Sequence, residues 1–291
     1  MRVIIIKRSL LWLVFGLIFF GLGLIIHQTP PLRTALASNA KKVAIVIDDL
    51  GGRARGINAM MNLSYPLTFA VLPFEEFSRV QAEQAVLKGF EIIIHMPFEA
   101  VSAKPEWYGA KYITTLTSTT EIHQLVKESF EILPMASGFS NHMGSKATAE
   151  SRILREVFKE LHRINRYYLD SKTAFNESPV PEVAGQLKLP YIQRDIFLDD
   201  INSAKHMRHQ LKLLMESAAA KGSAVGIGHV GPTGPTLAAV LEEELPYYEK
   251  QGFQLVRISE LIRIRFPNYQ RQSNIISIKT NRRPKNITQD Q

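Results

Sequence analysis

Several polar positions in this 291-residue sequence carry side chains that suit acid–base or metal chemistry, and each follows a short apolar run. Such continuous apolar runs are typical of buried parallel strands. Functional residues in parallel α/β folds gather just past the carboxyl ends of the strands. We therefore expect these side chains to meet at one face of a sheet. The set comprises the pair Asp48-Asp49, His95, His142 and His229.

Further apolar runs end in Asn141, which precedes His142, in Asp170-Ser171 and in Arg194-Asp195. A single histidine after a strand is usually structural, so the repetition of polar residues at equivalent places is what indicates a site. The other histidines lie in helical patterns and are assigned no role; they are His123, His162, His206 and His209.

A site built around Asp48-Asp49, His95 and His142 predicts metal-assisted hydrolysis. Two imidazoles and one carboxylate suit Zn²⁺ or a similar divalent ion, which acidifies water and polarises a carbonyl. A second carboxylate could take the proton as general base, and an imidazole opposite could protonate the leaving group. Asp48 and Asp49 point to opposite sides of an ideal strand, so at a strand end they could diverge into different roles.

The order of patterns between residues 41 and 267 predicts the fold class. About eight β-rich runs, one of them at 191–197, alternate with helical patterns. This order predicts an α/β domain with a parallel sheet and helices outside it. An open doubly wound sheet and a closed or distorted β/α barrel fit the pattern equally well.

Four segments together resemble the divergent polysaccharide deacetylase family, bacterial envelope relatives of the carbohydrate esterases that deacetylate chitin-type sugars and peptidoglycan. The resemblance covers about residues 41–265 and implies a distorted parallel β/α barrel with a zinc-type site. The segments are Ile47-Asp48-Asp49-Leu50-Gly51, Ile94-His95-Met96-Pro97-Phe98-Glu99, Asn141-His142-Met143-Gly144-Ser145 and Gly226-Ile227-Gly228-His229.

The resemblance also implies individual roles. Asp48 matches the catalytic base and Asp49 a metal ligand, while His229 matches the general acid. Arg194 and Asp195 are the candidates for residues that orient the base and the acid.

One departure from the family pattern concerns the metal ligands. The esterases place two histidine ligands on one stretch, as His-x-x-x-His, whereas here His95 is followed by Met96, Pro97, Phe98 and Glu99. His142, from another strand end, looks like the replacement for the second histidine. The expected ligand set is therefore Asp49, His95 and His142.

Composition and charge narrow the alternatives. The sequence contains no cysteine, which excludes disulfides and thiolate metal sites. The net charge of +8 is concentrated near the two ends of the chain rather than in a stripe on the domain, so we expect no nucleic-acid partner. We expect residues 268–291 to form a disordered basic tail.

The N-terminal 40 residues predict export. Arg2, Lys7 and Arg8 precede an apolar run over 10–26, an arrangement that sends the rest of the chain outward. A cleaved signal peptide and a retained inner-membrane anchor, followed by a linker, fit equally well. The expected location is extracytoplasmic: periplasmic, secreted or tethered to the inner membrane.

The stretch Gly226-Ile227-Gly228-His229-Val230-Gly231 also fits the dinucleotide fingerprint Gly-x-Gly-x-x-Gly. Pro232 and Pro235 follow it, although a Rossmann turn needs backbone amides there. The next strand ends in Arg257 instead of an acidic residue. We therefore expect no nicotinamide cofactor.

Two functional hypotheses result. In the first, the protein is a metal-dependent hydrolase that deacetylates an amino-sugar polymer of the envelope, such as a peptidoglycan fragment. In the second, it is a catalytically silent module that binds an envelope glycan or protein.

Overall fold

The computed structural model describes residues 40–174 and 176–269, which form a parallel α/β fold. The strands are β1 Lys41–Leu50, β2 Thr68–Val71, β3 Glu91–Phe98, β4 Gly138–Met143, β5 Tyr167–Asp170, β6 Tyr191–Gln193, β7 Ile196–Phe197, β8 Ser223–His229 and β9 Phe253–Leu255. The α-helices are α1 Ile57–Met61, α2 Ser78–Leu87, α3 Thr119–Ile132, α4 Ser151–Arg163, α5 Val180–Leu187, α6 Ala204–Lys221, α7 Gly234–Lys250 and α8 Ile258–Arg265.

The strands form one nine-stranded sheet in the order β6-β5-β4-β3-β2-β1-β8-β7, with β9 paired to the start of β1. All the pairings are parallel. The sheet curls into a half-barrel with helices around it, so the predicted fold class, a distorted parallel β/α barrel, is confirmed.

The chain itself closes the gap between the two edges of the sheet. Only Arg194 and Asp195 separate β6 from β7, although these strands lie at opposite ends of the strand order. The amide of Arg194 donates to Asp170 O at 3.0 Å, and the amide of Asp195 donates to Val225 O at 2.8 Å. The prediction of one strand over 191–197 is therefore wrong, because this apolar run crosses from one edge to the other.

Strand β1 shows how the fold divides its side chains between two cores. Val43, Ile45 and Ile47 pack in the cluster that includes the helices. Ala44 and Val46 alternate with them and pack inside the curled sheet. This period of two lets a continuous apolar run fill both sides of the sheet.

The glycines of the Gly-x-Gly-x-x-Gly stretch have a packing role. A Cβ on Gly226 would lie 2.7 Å from Leu214 Cδ2, and one on Gly228 would lie 2.2 Å from Leu237 Cδ2. Helices α6 and α7 therefore approach β8 more closely than a larger residue would allow.

Parts of the predicted signal or anchor and of the predicted tail lie outside the described residues. Among residues 40–174 and 176–269, no helix combines the length and hydropathy needed to cross a membrane. Tyr269 is buried, and its ring packs edge-on against Tyr167.

Candidate active site

Strand periodicity directs most of the predicted site residues toward the interior of the half-barrel. Asp48 has the same parity as Ala44 and Val46, and His95 has the same parity as Ile93, all of which are buried. His229 likewise follows the parity of the inward-facing residues of β8, and the register pairs it with Asp48 on the adjacent strand. A regular alternation therefore brings these groups to one end of the interior.

Asp49 has the opposite parity and reaches the site through a bulge. Between Ile47 and Leu50, β1 contains one residue more than the matching stretch of β2. Asp49 lies in this stretch with a φ of 71°, in the left-handed region that Asp tolerates better than most residues. As a result both carboxylates approach one imidazole: His95 Nε2 is 3.4 Å from Asp48 Oδ2 and 3.4 Å from Asp49 Oδ1.

Asp49, His95 and His142 form a cluster that could hold a metal ion. One ligand atom from each lies within 4.8 Å of the other two. His142 Nδ1 is 2.9 Å from Asp49 Oδ1, yet that oxygen has no hydrogen-bond partner among the described residues. Both atoms could be ligands of one ion. The residues present therefore fit a divalent cation.

Ser140 fixes which nitrogen of His95 is available for a metal. The Ser140 hydroxyl donates to Ile94 O at 3.1 Å, and its oxygen lies 2.8 Å from His95 Nδ1. Because its one proton goes to the carbonyl, the hydroxyl accepts from Nδ1–H. The lone pair of His95 is then on Nε2, which faces the two aspartates.

The electrostatics differ between the neighbouring carboxylates. Burial raises the pKa of Asp48, although the charges of His95 and His229 oppose the shift. Burial also acts to raise the pKa of Asp49, but the close imidazoles of His142 and His95 outweigh it and hold this pKa well below its usual value. Asp48 Oδ1 is buried and has no hydrogen-bond partner in the described chain. A buried carboxylate next to a half-buried one favours a bound cation.

His229 approaches from β8, on the other side of β1 from His95 and His142. Its Nδ1 lies 2.9 Å from Asp199 Oδ1, and its backbone amide donates to Asp199 Oδ2 at 2.9 Å. Burial lowers the pKa of His229, but the bond to Asp199 and the charges of Asp49 and Asp48 raise it to about 9. His229 is therefore a cation at neutral pH and can donate a proton.

Asp199 is the residue that the sequence analysis missed, and Asp195 does not make the contact expected of it. The Asp195 carboxylate accepts from Lys221 Nζ at 2.7 Å and from the Val225 amide at 2.8 Å. It therefore anchors the crossing between the sheet edges instead of contacting His229. The available signal was the acidic pair Asp199-Asp200, which directly follows the apolar run Ile196-Phe197-Leu198.

Arg194 lies beside the site without a direct bond to an aspartate among the described residues. Its guanidinium donates to Ser171 O at 2.7 Å and to Lys172 O at 3.2 Å, and it stacks 3.5 Å from the centre of the Phe197 ring. Burial lowers the pKa of Arg194, while the charges of Asp170 and Asp48 oppose the shift. Arg194 thus acts on Asp48 through space.

Glu99 is the fourth residue after His95, where the His-x-x-x-His pattern has its second histidine. Its side chain has a structural role here. It accepts from Lys146 Nζ at 2.6 Å and from the Thr115 amide at 2.8 Å. These bonds tie the loop after β3 to the loop after β4. The group that could hold a metal takes its second histidine, His142, from β4 instead.

Comparisons with known proteins agree with this architecture. The chain is 31% identical over 223 residues to the uncharacterized protein YibQ of Escherichia coli K12, covering 77% of this chain and 68% of that protein. It is 30% identical over 232 residues to an uncharacterized protein of Haemophilus influenzae, covering 80% of each. The crystal structure of an uncharacterized protein from Agrobacterium tumefaciens C58 superposes with a TM-score of 0.68 at 19% identity, covering 78% of this chain and 94% of that one.

The profile of one family matches residues 45–262, which include all of the strand-end residues described above. By this match, the chain belongs to the divergent polysaccharide deacetylase family.

Proposed function

We propose that the protein is a metal-dependent hydrolase that removes acetyl groups from an amino-sugar polymer of the bacterial envelope. The observation that carries this proposal is the convergence of Asp49, His95 and His142 beside a buried carboxylate, Asp48, and a protonated imidazole, His229. The basic and apolar N-terminal segment supports an extracytoplasmic place of action, where such a polymer is found.

In the proposed site, Asp49, His95 and His142 hold the divalent ion, for which Zn²⁺ suits the two-imidazole, one-carboxylate set. When bound, the ion supplies Lewis acidity that favours deprotonation of water and polarises the acyl carbonyl. Asp48 accepts the proton of the water molecule that attacks the carbonyl carbon. Its burial-raised pKa makes it a stronger base than a solvated aspartate.

His229 supplies the second proton transfer. As the bond between the carbonyl carbon and the amide nitrogen breaks, His229 donates its proton to that nitrogen, and acetate and a free amine result. Asp199 holds the ring in place through Nδ1, which directs Nε2 toward the substrate. Arg194 favours the ionised form of Asp48 after the proton has left the site.

Acetate release from N-acetylated chito-oligosaccharides and from peptidoglycan tests the proposal. We expect Asp48→Asn to lower kcat at least about a hundred-fold, the usual contribution of a general base. Asp200→Asn is the matched control, since Asp200 is half-exposed and pairs with His206. If the wild-type protein binds these glycans but releases no acetate under any metal condition, it is the silent binding module instead.

A further inference from the structure

The loop over residues 99–113 presents an exposed tryptophan beside the metal-binding residues. The loop leaves and rejoins the end of β3: the Glu99 amide donates to Ile113 O at 2.8 Å, and the Ile113 amide donates to Pro97 O at 2.9 Å. Trp107 lies on this loop, which starts at the carboxyl end of β3, the strand that carries His95. A ligand on the Trp107 ring would therefore lie at the end of the sheet that carries the site.

The loop holds Trp107 firmly. Tyr108, the next residue, is buried, its ring stacks on Tyr112 at 4.5 Å, and its hydroxyl accepts from the Ala100 amide at 2.9 Å. The Trp107 amide donates to Lys104 O at 3.0 Å in a short 3₁₀ turn. An anchored backbone loses little entropy when a ligand binds.

The indole ring of Trp107 is exposed to solvent. Trp107 is 55% exposed, whereas Tyr108 on the same turn is 8% exposed. The Lys104 ammonium lies 5.7 Å from the indole centre. Val101 and Leu116 are also exposed near the two ends of this loop. An exposed indole on an anchored loop at the site end of the sheet indicates a binding surface.

We propose that Trp107 is a stacking platform for a pyranose ring of the glycan, adjoining the residue whose acetyl group is removed. The flat C–H face of a pyranose is apolar while its hydroxyl groups point outward, so an indole buries the face and leaves the hydroxyls in water. The choice of a glycan as ligand rests on the proposed function. The stacking itself rests on the position and exposure of Trp107.

A fluorescence titration measures the contact directly. The sequence holds two tryptophans, so Trp12→Phe leaves Trp107 as the only one in the full-length chain. Asp48→Asn is added to prevent turnover, and the probe is penta-N-acetylchitopentaose. We expect a saturable change in Trp107 emission, and in calorimetry a Kd at least about ten-fold weaker for Trp107→Ala.

Two variants define the specificity of the effect. Trp107→Phe keeps an aromatic face and should recover most of the affinity. Tyr247→Ala is the matched control, because Tyr247 is 59% exposed near the end of α7 that lies far from the site, and its loss should leave Kd unchanged.

Failure of the stacking site and failure of the hydrolase activity give different results. An unchanged Kd in Trp107→Ala, or no binding of the probe by calorimetry, would overturn the stacking site even if acetate is released from other substrates. Trp107-dependent binding without acetate release from any substrate would overturn the hydrolase and leave the stacking site in place.

Discussion

Asp199 binds His229 at two points, with Oδ1 2.9 Å from the ring Nδ1 and Oδ2 accepting the backbone amide at 2.9 Å. The Asp199 side chain is completely buried, and Thr233 donates a further hydrogen bond to Oδ2 at 2.6 Å. These bonds fix the orientation of the imidazole and keep a proton on Nδ1. Asp199 therefore holds His229 in the position from which the proposed proton donation would occur.

Asp199→Asn should lower the pH above which activity is lost, which is the high-pH limb of the activity–pH profile. His229 must be protonated to act, so activity falls as pH rises through its pKa of about 9. Loss of the Asp199 charge removes a main cause of that raised pKa, so the limb should shift down by about one to two pH units. The measurement is kcat/KM against pH from about 6 to about 10, which reports the pKa of the free protein.

Asp195→Asn is the control for this shift. It removes an acceptor for Lys221 and weakens the bond to the Val225 amide, so it should lower the thermal midpoint without moving the limb. A limb that moves with Asp195→Asn and stays in place with Asp199→Asn would show that the roles are reversed.

His142→Ala should abolish stoichiometric metal binding. After dialysis against Zn²⁺, the wild-type protein should retain about one ion per chain, and the variant should retain close to none. His209→Ala, an exposed histidine of α6, is the matched control and should bind as the wild type does. Equal metal content in the wild type and His142→Ala, measured by plasma mass spectrometry, would exclude this ligand set.

The inward direction of Asp48, His95 and His229 was predictable because it follows from the period of two in buried strands. The sequence also marked the strand ends, since each of these residues closes an apolar run. The position of His142 follows the same rule, because Ser140 on its strand faces His95. Local periodicity is thus sufficient where a strand remains regular up to its last residue.

The positions of Asp49, Asp199 and Trp107 depend on tertiary structure, which strand periodicity does not predict. The positive φ of Asp49 accompanies a bulge in β1 opposite β2, and no local sequence pattern predicts this bulge. The stretch 191–197 contains two strands at opposite edges of the sheet. The strand-end rule therefore selects Asp195 instead of Asp199. Trp107 lies in an irregular segment whose path depends on tertiary contacts such as the Tyr108 hydroxyl bond.

Ser140→Ala should weaken metal binding without removing a ligand. The hydroxyl accepts from His95 Nδ1–H, so its loss frees the imidazole to rotate and to place its proton on Nε2. We expect the Kd for Zn²⁺ to rise about 10- to 100-fold, the usual effect of an outer hydrogen bond to a metal ligand. Competition with a chelating dye measures the change. A thermal midpoint of the metal-free variant close to that of the wild type would show that the fold is intact, and an unchanged Kd would remove Ser140 from the site.

The left-handed backbone of Asp49 predicts an inverted preference between glycine and alanine. At φ of 71°, alanine is strained by about 1–2 kcal/mol, which exceeds the entropy cost of glycine. In the metal-free protein, Asp49→Gly should therefore have a free energy of unfolding roughly 0.5–1 kcal/mol above that of Asp49→Ala. At Glu83, an exposed position in α2, the order should be the ordinary one, with alanine more stable. Urea denaturation of the four variants, glycine and alanine at positions 49 and 83, measures both differences in stability. A more stable alanine at Asp49 would contradict the bulge that brings the two carboxylates together.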